Sequence, residues 1–176
     1  MGASQKRRYR NDDSKMKPDP PRRFPGRPPR LATIFQAANE PLYFVTITTW
    51  NRQPILASSP AHQAFLDYAN ANAPQGRAIG RYVLMPDHAH FFVRLAPGHR
   101  LTDFVRLLKQ HMTRTLQAGM PSARIWQPGF FDHVLRSDES YSEKWLYVRE
   151  NPVRAGLVKS GGDWPYQGEV VRIDRA

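Results

Sequence analysis

A chain of 176 residues is long enough to bury one sizeable core and suggests a single domain. It contains no cysteine, which excludes disulfides, thiolate zinc sites and a cysteine nucleophile. A formal net charge of +11 points to a polyanionic partner, nucleic acid first, while no apolar run approaches the ~20 residues that span a bilayer.

The N-terminus is basic but lacks the apolar core of a secretory signal, so a soluble cytoplasmic protein is expected. Residues 1–30 hold ten Lys/Arg against three Asp, together with six prolines, and so carry most of the excess charge. Such a segment cannot bury enough apolar surface to offset its ordering entropy, and a disordered tail is expected. It serves either as a solubilising arm or as a salt-sensitive, non-specific contact to DNA. A single folded domain is expected over residues 31–176.

Leu42–Thr49 is rich in β-branched and aromatic residues between Pro41 and the Trp50-Asn-Arg turn, and reads as the first strand. A serine cap and Pro60 open a helix over Ser58–Asn70, with Ala64, Phe65 and Tyr68 at helical spacing. Ala78–Met85 and His88–Leu95 are two further strands joined by the Pro86-Asp87 corner, which makes them an antiparallel hairpin. Leu101–Leu116 is an amphipathic helix with Leu101, Phe104, Val105, Leu108, Met112 and Leu116 along its apolar stripe, and Gly119-Met-Pro121 ends it. Its opposite side carries Arg106, Lys109 and Arg114, either an ordinary solvated face or one that holds a phosphate backbone beside the site. Trp126 and Phe130 stack on unpaired bases or belong to the core. A fourth strand follows at Phe131–Arg136, and a last helix runs from Asp138 to about Glu150, with acidic groups in its first turn. Gly161–Tyr166 reads as a loop before a short tail. The order strand, helix, strand, strand, helix, strand, helix suits an α+β ferredoxin-like sandwich, an antiparallel sheet with helices packed on one face.

Side chains alternate along a strand, so His88 and His90 point to one side of the sheet and Ala89 to the other. Two neighbouring imidazoles make a pair of metal ligands, although an isolated His-x-His is more often solvent-facing or simply satisfied. Tyr147 and Asn151 are four residues apart, one helical turn, although Pro152 biases Asn151 out of helical geometry. If that helix covers the histidine face, the phenol of Tyr147 attacks a phosphodiester, a divalent cation polarises the phosphate, and Asn151 supplies an oxygen ligand. Considered alone, Tyr147 would be a core tyrosine in most proteins.

Three segments, Met85-Pro-Asp-His-Ala-His90, Trp126-Gln-Pro-Gly-Phe130 with Asp132-His133, and Tyr147-Val-Arg-Glu-Asn-Pro-Val-Arg-Ala-Gly-Leu157, occur in the order seen in one family. The chain resembles the REP-associated tyrosine transposases, single-tyrosine members of the His-hydrophobic-His DNA endonucleases, from about Leu42 to Tyr166. Asp163-Trp-Pro-Tyr166 fits that family's C-terminal segment. The separate motifs are weak and the ordered set is specific. The resemblance implies metal-dependent cleavage and rejoining of single-stranded DNA at hairpins of short palindromic repeats. In that scheme His88 and His90 bind Mg²⁺ or Mn²⁺, Tyr147 is the nucleophile of a 5′-phosphotyrosine intermediate, and Asn151 is the third ligand. The active protein would be a monomer or a homodimer.

The sequence departs from the family at Asp87, where Asn is usual; the carboxylate either joins the metal shell or caps the turn, and the turn is preferred. A catalytically silent hairpin-binding protein is the alternative. An RNA-binding ferredoxin-like domain is a third, requiring exposed aromatics such as Tyr82, Phe91 and Phe92 on central strands.

Overall fold

The computed structural model describes residues 41–118, 123–135 and 141–173. The basic arm over 1–30, the helix stop at Gly119–Pro121, the strand end at Arg136 and the helix start at Asp138 all lie outside the described residues. Five strands are present, β1 (Leu42–Thr48), β2 (Arg77–Leu84), β3 (His88–Leu95), β4 (Phe131–Leu135) and β5 (Gln167–Glu169), with helices α1 (Ser59–Asn72), α2 (Leu101–Leu116), α3 (Tyr141–Arg149) and α4 (Asn151–Arg154).

All strand pairs are antiparallel and the sheet order is β4-β1-β3-β2-β5. The first four strands and the helices between them have the ferredoxin-like connectivity expected from the sequence. The fifth strand was not expected. It is three residues long with Gly168 at its centre, too short to show any alternation, and it forms only because the edge of β2 offers Arg81–Val83 as partners.

Both faces of the sheet are apolar. On one, Val45, Ile47, Ile79, Tyr82, Leu84, Ala89, Phe91 and Val93 pack against Phe65 and Tyr68 of α1 and Phe104, Val105, Leu108 and Met112 of α2. On the other, Leu42, Phe44, Val83, Met85, Phe92 and Leu135 pack with Val148 of α3 and Ile173. So α1 and α2 share one face as expected, while α3 lies over part of the second. The reason is visible in β1 and β3: Phe44 and Phe92 would leave large apolar rings in water if nothing covered that side.

The second layer is pinned at an irregularity. The β2–β3 register shifts between Ile79 and Tyr82, which inverts the alternation and lets both residues face α1 and α2. The shift frees the backbone N–H of Arg81, which donates to the Tyr141 hydroxyl at 3.1 Å. The Tyr141 ring stands edge-on to Phe92 with centroids 4.6 Å apart. Thus the first residue of α3 is held over the sheet by a hydrogen bond that the bulge makes available.

Gly80 permits this docking. A Cβ there would stand 2.4 Å from Ile173 Cγ1 and 2.9 Å from the Tyr141 hydroxyl oxygen. Gly80→Ala is therefore expected to destabilise the protein by about 1–3 kcal/mol through overpacking, read as a lower urea midpoint at unchanged m-value. A wild-type midpoint would show that α3 does not depend on this approach.

Candidate active site

The corner that presents the histidines is fixed by buried backbone bonds. Thr49, fully buried, donates its N–H to the Asp87 carbonyl at 2.9 Å, and its hydroxyl lies 2.8 Å from Gln53 O and 2.9 Å from Asp87 O. Met85 N donates to His88 O at 2.8 Å and closes the turn. Beyond it, His88 and His90 pair across to Thr48 and Thr46 of β1, on the face that carries Phe44 and Phe92. The two rings have centroids 4.8 Å apart at 81°.

Each imidazole is held through one nitrogen. His88 Nδ1 lies 2.6 Å from Asp87 Oδ1, and a carboxylate can only accept, so this nitrogen carries the proton. Asp87 Oδ2 in turn accepts from Arg52 at 3.2 Å. Burial opposes the Asp87 charge, but the His88 and Arg52 contacts outweigh it and hold the carboxyl below its usual range. Asp87 therefore orients His88 from behind, besides sitting in the turn. His90 Nδ1 is 2.8 Å from the Thr46 hydroxyl, and its ring stacks on Phe44 at 5.4 Å and 20°. Burial first, then the charges of His88 and Arg154, push His90 down to about 3, so it is neutral at physiological pH. A neutral imidazole is the form that binds a metal.

The pair suits a divalent cation as far as it goes. In its neutral form, with the proton on Nδ1 toward Asp87, His88 has an Nε2 lone pair to offer, and His90 does the same when Thr46 accepts from Nδ1. Among the described residues no group of three or more His, Cys, Asp or Glu is arranged to hold a metal ion.

Tyr147 is 64% exposed on α3, the helix on the histidine side of the sheet. Tyr147 and Asn151 belong to two successive helices, the break that Pro152 led the sequence to suggest. α3 ends at Arg149 and Asn151 opens α4, because Pro152 in that first turn has no N–H to continue the earlier helix. Arg154, which sequence reasoning gave no role, joins them. Its guanidinium lies 4.2 Å from the Tyr147 ring centroid and donates to Tyr147 O at 2.7 Å and to Asn151 Oδ1. The Asn151 oxygen keeps a second lone pair.

The residues expected to bind DNA divide into two kinds. α2 lies across the sheet from the imidazoles, because Ala89, between them, points to the α1/α2 layer. The basic face of α2 therefore does not stand beside the histidines. Arg106 and Arg114 are exposed there, Arg106 3.8 Å from Asp103. Lys109 instead turns onto the loop before β4, donating to Gln127 O at 3.0 Å and Gly129 O at 2.6 Å, and burial lowers it to about 8. Trp126 packs on the core beneath, its indole N–H within 3.1 Å of Lys109 O and 3.0 Å of the Thr113 hydroxyl.

One residue that sequence reasoning missed is Phe131. It pairs with Thr46, itself bonded to His90, so it shares the histidine face, and it is 60% exposed. The alternation of Phe131, His133 and Leu135 was a readable signal, but the face it meant depended on the β1–β4 register. The aromatics that the RNA-binding reading needed are in the core: Tyr82, Phe91 and Phe92 are all buried.

The family model for "Transposase IS200 like" proteins matches residues 40–150. A REP-associated tyrosine transposase of Escherichia coli (strain K12) is 30% identical over 129 residues, covering 70% of this chain and 73% of that protein. A solved structure of a REP-associated tyrosine transposase bound to a REP hairpin superposes with a TM-score of 0.61 at 23% identity, over 78% of this chain and 82% of that one. That likeness establishes the fold.

Stability should report the state of His90. Its folded pKa of about 3 lies below the ordinary 6.5, so the unfolded chain binds more protons between those values and stability falls as pH drops from about 6.5 to 3. His90→Gln is expected to flatten this part of the profile in urea midpoints taken across the window. An unchanged slope would refute the assignment.

Proposed function

The chain belongs to the IS200-like transposase family, among the REP-associated tyrosine transposases, and on that premise we propose that it cuts and rejoins single-stranded DNA beside hairpins of short palindromic repeats, using Tyr147 as nucleophile. Family membership makes it an enzyme of the transposase class. The finer reading rests on one observation: two imidazoles tethered through Nδ1 share a sheet face with the helix that exposes Tyr147.

In this mechanism His88 and His90 would hold a divalent cation, with the Asn151 side-chain oxygen available as a third donor. The bound cation supplies Lewis-acid polarisation of the scissile phosphate. Tyr147 Oη attacks phosphorus as the P–O3′ bond breaks; the phenol proton leaves to solvent and the departing 3′ oxygen takes one up. A 5′-phosphotyrosine and a free 3′-OH result. Attack by a 3′-OH on the phosphotyrosine reverses the exchange and joins a new strand, with no change in the number of phosphoester bonds. Paired imidazoles are more at home with Mn²⁺ than with Mg²⁺, so Mn²⁺ is the preferred ion.

DNA is approached from the histidine face. Phe131 offers a ring on which an unpaired base can stack beside the cut, an interaction worth roughly 1–3 kcal/mol per base. Lys144, 5.6 Å above the Phe44 ring, adds positive charge on this side. Arg106 and Arg114 are left to contact phosphates of a hairpin stem reaching around the molecule, and Lys109 and Trp126 to brace the loop before β4. The basic residues of 1–30 add a sequence-independent contact; a variant lacking them should show a shallower dependence of log affinity on log salt, and an unchanged slope removes the arm from the interface.

The decisive experiment incubates end-labelled hairpin DNA carrying single-stranded flanks with the protein and Mn²⁺ or Mg²⁺, then resolves products on a denaturing gel. A covalent protein–DNA band is expected that disappears with chelator, with His88→Ala or His90→Ala, and with Tyr147→Phe. A band that survives Tyr147→Phe refutes the nucleophile. Tight hairpin binding with no band under any of these metals would establish the silent binding protein instead.

A further inference from the structure

Tyr147 presents a mechanical problem. Its ring is mostly in solvent, while the neighbouring Val148 is the buried residue of α3, so the core anchors the backbone and leaves the phenol unpacked. An exposed side chain samples its rotamers within picoseconds to nanoseconds unless something holds it. Nucleophilic attack needs the opposite, since reacting atoms must be held near attack distance and a displacement of 1 Å can lower a rate about 100-fold.

Arg154 is placed to supply the hold. In an unbroken helix, residues seven apart are separated by about 10 Å along the axis. The break after Arg149 and the start of α4 let Arg154 fold back over Tyr147, with its guanidinium 4.2 Å from the ring centroid. One terminal NH2 group donates to the Tyr147 carbonyl at 2.7 Å and to Asn151 Oδ1, so the same guanidinium fixes the end of α3, the phenol and the first residue of α4. Val148, next to Tyr147, packs with Phe44 and Phe92 on the face that carries the histidines, which sets this cluster on that side of the sheet. A lysine ammonium could donate both bonds but lacks the flat guanidinium surface that lies over the Tyr147 ring.

We propose that Arg154 is a positioning residue for Tyr147, locking the phenol ring and the α3–α4 junction in the arrangement from which attack occurs. This deepens the cleavage reading of the same site and rests on it. Asn151 takes part in the lock as the acceptor that aims the guanidinium.

The test uses the full chain and its Arg154→Ala, Arg154→Lys and Tyr147→Phe variants, with labelled hairpin DNA and Mn²⁺. Single-turnover adduct formation at saturating DNA is expected to fall about 10- to 100-fold in Arg154→Ala. Hairpin affinity, measured by anisotropy in chelator, should change by less than about 3-fold. Added guanidinium ion should restore part of the Arg154→Ala rate and leave the wild type unchanged, whereas Arg154→Lys should remain slow. Independently of activity, the Tyr147 ring resonances of DNA-free, selectively labelled protein should move in Arg154→Ala at an unaltered thermal midpoint. A wild-type adduct rate in Arg154→Ala, a loss confined to affinity, or unmoved Tyr147 resonances would each overturn the proposal. If the wild type itself forms no adduct, the cleavage reading fails, and the resonance comparison still decides whether Arg154 holds the ring.

Discussion

The alternation of side chains along β3 is the constraint on which the site depends. Ala89, Phe91, Val93 and Leu95 face α1 and α2 and are almost completely buried. Pairing β3 one residue out of register would turn these four outward and drive His88, His90 and Arg94 into the core. Burial of a large apolar side chain is worth roughly 1.5–3 kcal/mol, so the slip would forfeit an amount comparable to the ~5–15 kcal/mol that keeps a whole domain folded. The direction of the imidazoles is therefore set by hydrophobic packing on the far side of the sheet.

The second face is assembled differently. α2 buries five side chains, while α3 buries Val148 alone and is otherwise fastened at points: Tyr141 on the Arg81 amide and Phe92, Lys144 over Phe44, and Arg154 at its C-terminal end. An element with few buried apolar contacts opens at lower free energy than the core. The histidines thus stand on a strand whose other side is deeply buried, and the candidate nucleophile on a helix with one buried side chain.

Charge follows the same logic. The basic stripe on α2 drew attention in the sequence because it was periodic, yet Lys109 is folded against two carbonyls and Trp126 against the core, and α2 as a whole is across the sheet from the imidazoles. Three of the cations on the histidine side, Arg52, Lys144 and Arg154, come from separate segments and form no pattern along the chain.

Local rules made much of the fold readable. Period-two and period-3.6 patterns located β1, β3 and α2 to within a residue, and parity alone put His88 and His90 together with Ala89 opposite. The ordered motifs were enough to suggest the transposase family. What the sequence could not decide were the quantities that depend on neighbours far along the chain. The β1–β4 register set Phe131 on the histidine face, the β2 bulge created the anchor for Tyr141, and a three-residue β5 had no signal of its own. Whether Asp87 would serve only the turn or also grip His88 depended on a 2.6 Å contact that spacing cannot predict. Pro152 announced a break after the tyrosine, but only the folded chain turned that break into a path for Arg154 back to Tyr147. Periodicity is a property of one segment against solvent, whereas register, helix junctions and buried hydrogen bonds are settled by two segments competing for the same space.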